Sequence, residues 1–221
     1  MSNVIVKENH LTFGGVAYYR AHAEEVEIGS IGEKRKPLFK QNYIEVKDHI
    51  LIPEGNIIKA TETEIDFTHS TQRAFGLKAA AIIDGVPVKL AGDTAFSKLR
   101  AGELKLVKFS IANNDLKDFA NASKDELDSL RYWKKRARIA HQVFIVVEAQ
   151  LADEFTRNVN VGLGVGINGL EAKLDAAFGA SGSTLVNISK GTCFAYLLVK
   201  IKWDAGHHKI MDLDDDQWGV S

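Results

Sequence analysis

The chain has 221 residues, 45% of them hydrophobic and 26% charged, with 18 glycines and only 3 prolines. That composition belongs to a globular chain of about one generous domain and excludes collagen-like and disordered classes. Twenty-eight basic against twenty-nine acidic residues leave a net charge of -1, so bulk charge gives no reason to expect a nucleic-acid partner.

A single cysteine, Cys193, makes no internal disulfide, and the start Met-Ser-Asn-Val-Ile-Val-Lys-Glu-Asn-His lacks the apolar stretch of a secretion signal. A reducing cytoplasm is the expected location. No apolar run approaches the ~20 residues of a membrane helix. Charge is uneven along the chain: residues 204–221 hold five Asp against one Lys, about -4, which leaves residues 1–203 at roughly +3. The expected organisation is therefore a mildly basic domain over 1–203 with an acidic, solvated tail over 204–221.

The first third predicts strands. Leu11 to Ala21 is rich in β-branched and aromatic residues, Glu24 to Ile28 alternates, and a loop over Gly29 to Pro37 precedes a strand over Leu38 to Val46, which makes a hairpin with a basic loop. Ile65 to Phe75 and Leu77 to Leu90 follow, the second broken by the tight-turn pair Asp84-Gly85. Thr94 to Leu106 fits a helix or a strand, within a stretch that runs on to Ile111.

The clearest helix starts at Ser123, which with Glu126 forms a capping-box pair ahead of Leu127, Leu130 and Ala137 on one face. Its far end, Arg131 to Arg138, is strongly basic, suiting either a solvated helix C-terminus or contact with phosphate-bearing headgroups. His141 to Gln150 is apolar, and Val159, Val161, Leu163, Val165 and Ile167 then alternate with Asn and Gly. The phase flips past Gly169, and Leu185 to Trp203 returns in β-favouring residues. His141 to Trp203 thus reads as one very long hairpin. Two structures suit it: an edge hairpin packed on the domain, or membrane-crossing strands, which need ~9 to 11 residues with one apolar face.

Gly164-Val-Gly166-Ile-Asn-Gly169 matches the dinucleotide fingerprint, but no acidic residue follows about twenty positions on. Cys193 lies in an apolar strand and is expected to be a buried small hydrophobe. The Asp-rich run after His207 and His208 lacks a calcium loop's glycine and closing Glu, and no catalytic triad or phosphate-binding loop stands out. No cofactor, metal or enzymatic activity is expected.

Three segments together resemble the pore-forming domain of gasdermins: Val143 to Arg157, Thr184 to Val199, and the basic Lys34-Arg-Lys-Pro37 ahead of Tyr43 to Ile50. The resemblance is loose over residues 30–203 and better over 143–203. It implies an α+β fold, a twisted and mainly antiparallel sheet with long hairpins and a few surrounding helices. It further implies a soluble monomer that oligomerises on anionic membranes into a β-barrel pore, in cell death or defence, moving from cytoplasm to the inner face of the cell membrane. Lys34, Arg35, Lys36, Lys134, Lys135, Arg136 and Arg138 would bind lipid, and Val159, Val161, Leu163, Val165 and Ile167 would enter the bilayer. The tail, with Asp212, Asp214, Asp215 and Asp216, would oppose membrane attraction until an activating protease removes it. The competing expectations are a non-enzymatic assembly module pairing through an edge hairpin and, third, a nucleotide-binding protein built on Gly164 to Gly169.

Overall fold

A computed structural model describes residues 4–65, 70, 81–83, 86–88, 104–148 and 193–220. Its strands are β1 (Ile5–Val6), β2 (His10–Phe13), β3 (Val16–Tyr19), β4 (Ser30–Arg35), β5 (Tyr43–His49), β6 (Ile57–Glu64), β7 (Ala81–Ile83), β8 (Val86–Val88), β9 (Leu104–Ile111), β10 (Ala137–Glu148), β11 (Cys193–Trp203) and β12 (Ile210–Asp216). Two helices, α1 (Asn113–Ala122) and α2 (Lys124–Trp133), lie between β9 and β10. The expected α+β fold with a mainly antiparallel sheet is present. Ten strands share one sheet, and β7 and β8 pair separately on either side of Asp84-Gly85, as that dipeptide predicts.

The sheet branches at its centre. On one edge β10 pairs β4 through Ala137–Ile139 and then β9 through Gln142–Glu148. Its other edge pairs β11. On the far edge of β11, Tyr196 pairs Tyr19 of β3 and Leu198–Trp203 pair β12. The β10–β11 hairpin is therefore shared by two arms, β5-β4-β10-β11-β12 at one end and β6-β9-β10-β11-β3 at the other. This corrects the expectation of an edge hairpin: the described stems are the most central strands of the sheet, and their buried runs, such as Cys193 to Val199, are apolar on both faces because both faces are covered. One face packs on the helices through Leu116, Ala120, Leu127 and Leu130, and the other gathers Leu11, Tyr18, Phe144 and Leu197.

Local departures from the sequence reading have identifiable causes. Leu11 to Ala21 is a hairpin rather than one strand, because Gly14 and Gly15 take φ 58 and 82, the left-handed pair of a two-residue turn. Glu24 to Ile28 forms no strand, as a short helical turn occupies Ala23–Glu25. The expected loop over Gly29 to Pro37 is mostly β4, with Ser30 to Lys34 buried, and the turn falls later, ahead of Tyr43. Gly32 marks this crossing, since a Cβ there would meet the Glu45 carbonyl oxygen at 2.0 Å. Ser123 is the N-cap residue of α2, but its side chain makes no capping hydrogen bond, and α1 precedes it unforeseen. Ala137 opens β10 instead of closing the helix.

Candidate functional site

Antiparallel pairing of β4 with β10 joins the two basic segments. Ala137 faces Glu33 and Arg138 faces Gly32, so Lys34–Lys36 and, a hundred residues on in sequence, Lys135, Arg136 and Arg138 line one cleft with Pro37 and Tyr43. A second groove continues past Lys134, Lys135 and Arg136 toward Tyr132, Trp133 and Trp203. Six of the seven cations expected to act together line this cleft and Lys134 lines the adjoining groove, but they are not equivalent.

Lys34 and Arg138 are buried and spent on Asp216. Lys34 Nζ donates to both Asp216 carboxylate oxygens at 2.9 Å, Arg138 Nε donates to Oδ2, and the Tyr19 hydroxyl donates to Oδ1 at 3.2 Å. Asp216 is itself 1% exposed. Burial alone would raise its carboxyl, yet the hydrogen bonds from Arg138 and Lys34 outweigh that and hold it below the usual carboxylate range. Arg35 pairs with Glu45 and, at 2.9 Å, with Glu33, which also lies 3.3 Å from Arg136. Lys36, Lys134, Lys135 and Arg136 are exposed.

The expected solvated tail is a strand. Residues 210–216 pair antiparallel with β11, and the pattern is electrostatic. Arg138, Lys200 and Asp214 stand in one cross-strand row, Lys202 faces Asp212, and Lys202 Nζ reaches Asp214 at 2.6 Å and Asp212 at 3.4 Å. On the opposite face Ile210 and Leu213 are buried in the core. Asp215 Oδ1 lies 3.3 Å from His141 Nε2, though neither ring nitrogen of His141 has a hydrogen-bond partner. Burial, with Lys108 nearby, pushes the His141 pKa down to about 4.

Helix side chains cover the outer edge of β12. Asn121 donates to the Ile210 carbonyl at 3.0 Å and accepts from its N–H at 2.8 Å, as a neighbouring strand would. Asn113 donates to the Leu213 carbonyl at 3.4 Å, and Arg131 donates to the carbonyls of His207 and His208. Beyond β12, Trp218 stacks on His10 with ring centroids 4.2 Å apart and its N–H bonds the Ala17 carbonyl. Residues 204–220 form a strap from the helices across β11 to the β2–β3 hairpin. An alternation of Lys200 and Lys202 matched by Asp212, Asp214 and Asp216 was the available signal for it.

Cys193 is buried, its thiol 3.2 Å from the Ala195 carbonyl, as expected. Among the described residues no His, Cys, Asp and Glu group could hold a metal ion, and no helix is long and apolar enough to cross a membrane. Val159, Val161, Leu163, Val165, Ile167 and Gly164 to Gly169 lie outside the described residues. Comparison with protein-family models, curated proteins and solved structures finds no match to this chain.

Proposed function

We propose that the chain is a membrane pore-forming protein of the gasdermin type, a monomer that assembles on the inner, anionic face of a cell membrane into a β-barrel pore. The observation that carries this reading is the placement of four strand ends. β6, β9, β10 and β11 are consecutive neighbours, with Glu64 opposite Lys105, Leu104 opposite Glu148, and Ile145 opposite Cys193. The chain therefore leaves and returns twice, at residues 65–103 and 149–192, from one end of four adjacent antiparallel strands. Two hairpins extended from there would run side by side. A bilayer tolerates strands only where each backbone group pairs with a neighbour and the sheet closes, which adjacent hairpins from many copies achieve.

The strap supplies restraint in the same reading. Its carboxylates hold Lys34, Arg138 and Lys202, so displacing it frees cations and the β11 edge together. Simple deletion of 204–221 is a poor test because Ile210 and Leu213 belong to the core. A protease site built into the exposed turn at Ala205–His208, combined with Asp216→Asn to weaken the strap, leaves the strand available for release. Cleavage is expected to start dye release from phosphatidylserine-containing vesicles and not from neutral ones. No release from any form, intact, cleaved or loosened, would sink the pore.

A further inference from the structure

Two of the chain's three tryptophans meet in one groove. Trp133 closes α2, Trp203 closes β11, and both line the hollow together with Tyr132 and with His207 from the turn before β12. Each indole is half-buried and packs partly on the core, whereas Tyr132 is 80% exposed at the rim. The Trp203 and His207 rings lie 6.2 Å apart with their planes 35° from parallel. The hollow encloses about 1090 Å³, far more than an inorganic phosphate needs and at the upper end of small-ligand sites.

Its charge is one-sided. Six cations line it against a single carboxylate, Glu33, which Arg35 and Arg136 already share. Arg131 is engaged by Asp128 and Arg138 by Asp216, so Lys134 and Lys135 are exposed cations with no lining carboxylate to answer them. Lys134 also holds φ 52 with ψ -126, a region that glycine occupies at little cost and a long side chain does not. A charge stands at the groove's edge there in spite of backbone strain. An occupant has to satisfy both halves of the groove. Half-buried indoles favour a planar ring laid against them, and the lysines beside them attract oxyanions. A lipid headgroup has no ring to set on the indoles, and an uncharged aromatic compound leaves the lysines facing only water. A ligand with a planar base at one end and a run of phosphates at the other matches both.

We propose that this groove binds a free nucleoside polyphosphate, with the base against Trp133 and Trp203 and the phosphates at Lys134 and Lys135. The site is separate from Gly164 to Gly169, and it neither requires the pore reading nor depends on displacement of β12.

Titration of the full chain with ATP at physiological ionic strength, followed by tryptophan fluorescence and calorimetry, tests it. Saturable binding at one site per chain with quenched emission is expected, and adenosine and tripolyphosphate are each expected to bind about tenfold more weakly or worse. Trp133→Phe and Trp203→Phe should each remove part of the quench. Trp218→Phe, whose ring stacks on His10 well away from the groove, should remove none. Lys134→Ala with Lys135→Ala is expected to weaken ATP binding about tenfold or more. Both positions are exposed, so the melting temperature stays near its original value and is measured alongside. Absence of saturable ATP binding overturns the proposal, as does tripolyphosphate binding as tightly as ATP, which would reduce the groove to a polyanion trap. A quench carried by Trp218, an affinity indifferent to the lysine pair, or a single-stranded oligonucleotide without terminal phosphates binding in preference to ATP overturns it as well. None of these results bears on dye release from vesicles, by which the pore reading is judged separately.

Discussion

Asp216 accepts from Lys34, Arg138 and Tyr19 while almost wholly buried, so it joins β4, β10, β3 and β12 at one point. Replacing it with Asn leaves two buried cations without a counter-charge. A loss of roughly 3 to 5 kcal/mol is expected, read as a lower urea midpoint at unchanged slope. His141 acts with the opposite chemistry, being a base kept neutral by burial, with Lys108 and Asp215 as its charged neighbours. Its folded pKa of about 4 lies below the unfolded value near 6.5, so its contribution is complete above about pH 6.5 and is lost as pH falls toward 4. His141→Leu is expected to flatten the stability profile across that window while Asp216 still governs loss in stronger acid. Unchanged acid sensitivity in the variant would refute this. Lys134 stands where glycine fits the backbone; Lys134→Gly is expected to raise stability by about 1 kcal/mol in denaturant melts while reducing vesicle binding.

At the scale of elements, β12 is held by hydrogen bonds from α1 on one edge and by β11 on the other, while Arg131 of α2 holds the turn that precedes it. Asn121→Ala removes both side-chain bonds to Ile210 and is expected to cost about 1 to 3 kcal/mol. Amide exchange should quicken across Ile210–Asp216 first and leave β10 protected; uniform quickening would show that the strap opens only with the whole sheet. Strand content around the core was legible because Tyr43 to Val46 and the apolar runs of β10 and β11 are β-favouring whatever packs on them. β12 was not legible, since an Asp-rich segment reads as solvated until the lysines of β11 are laid beside it. The basic stretch around Lys34 reads as a loop for the same reason: a charge buried inside a strand makes sense only once its counter-ion, here the distant Asp216, is in view.

For the whole molecule, the fold class was legible in the resemblance together with the strand-favouring runs, but the branching of the sheet was not. A bulge at His141 in β10, between Ala140 and Gln142, falls where the strand's edge partner changes from β4 to β9. No local pattern announces such a shared edge, because it depends on which partner reaches the strand first in space. The seven cations were found as residues, whereas their division into spent and available sets required the third dimension. Most pairings in the sheet join distant segments, so refolding on the millisecond-to-second scale of β-rich domains is expected in stopped-flow fluorescence from Trp218 and its neighbours. A microsecond phase carrying the full amplitude would contradict that.

The link from Lys34 to Asp216 spans 182 positions, which has a consequence for biosynthesis. β4 leaves the ribosome long before its counter-ion, so during translation the nascent chain displays Lys34 and Arg138 without Asp216 and β11 without its outer neighbour. A nascent chain that has not yet made β12 is thus better equipped to adhere to an acidic surface, and synthesis of β12 is what quiets it. Premature termination shortly before residue 210 would yield a product that has lost that restraint along with part of its core.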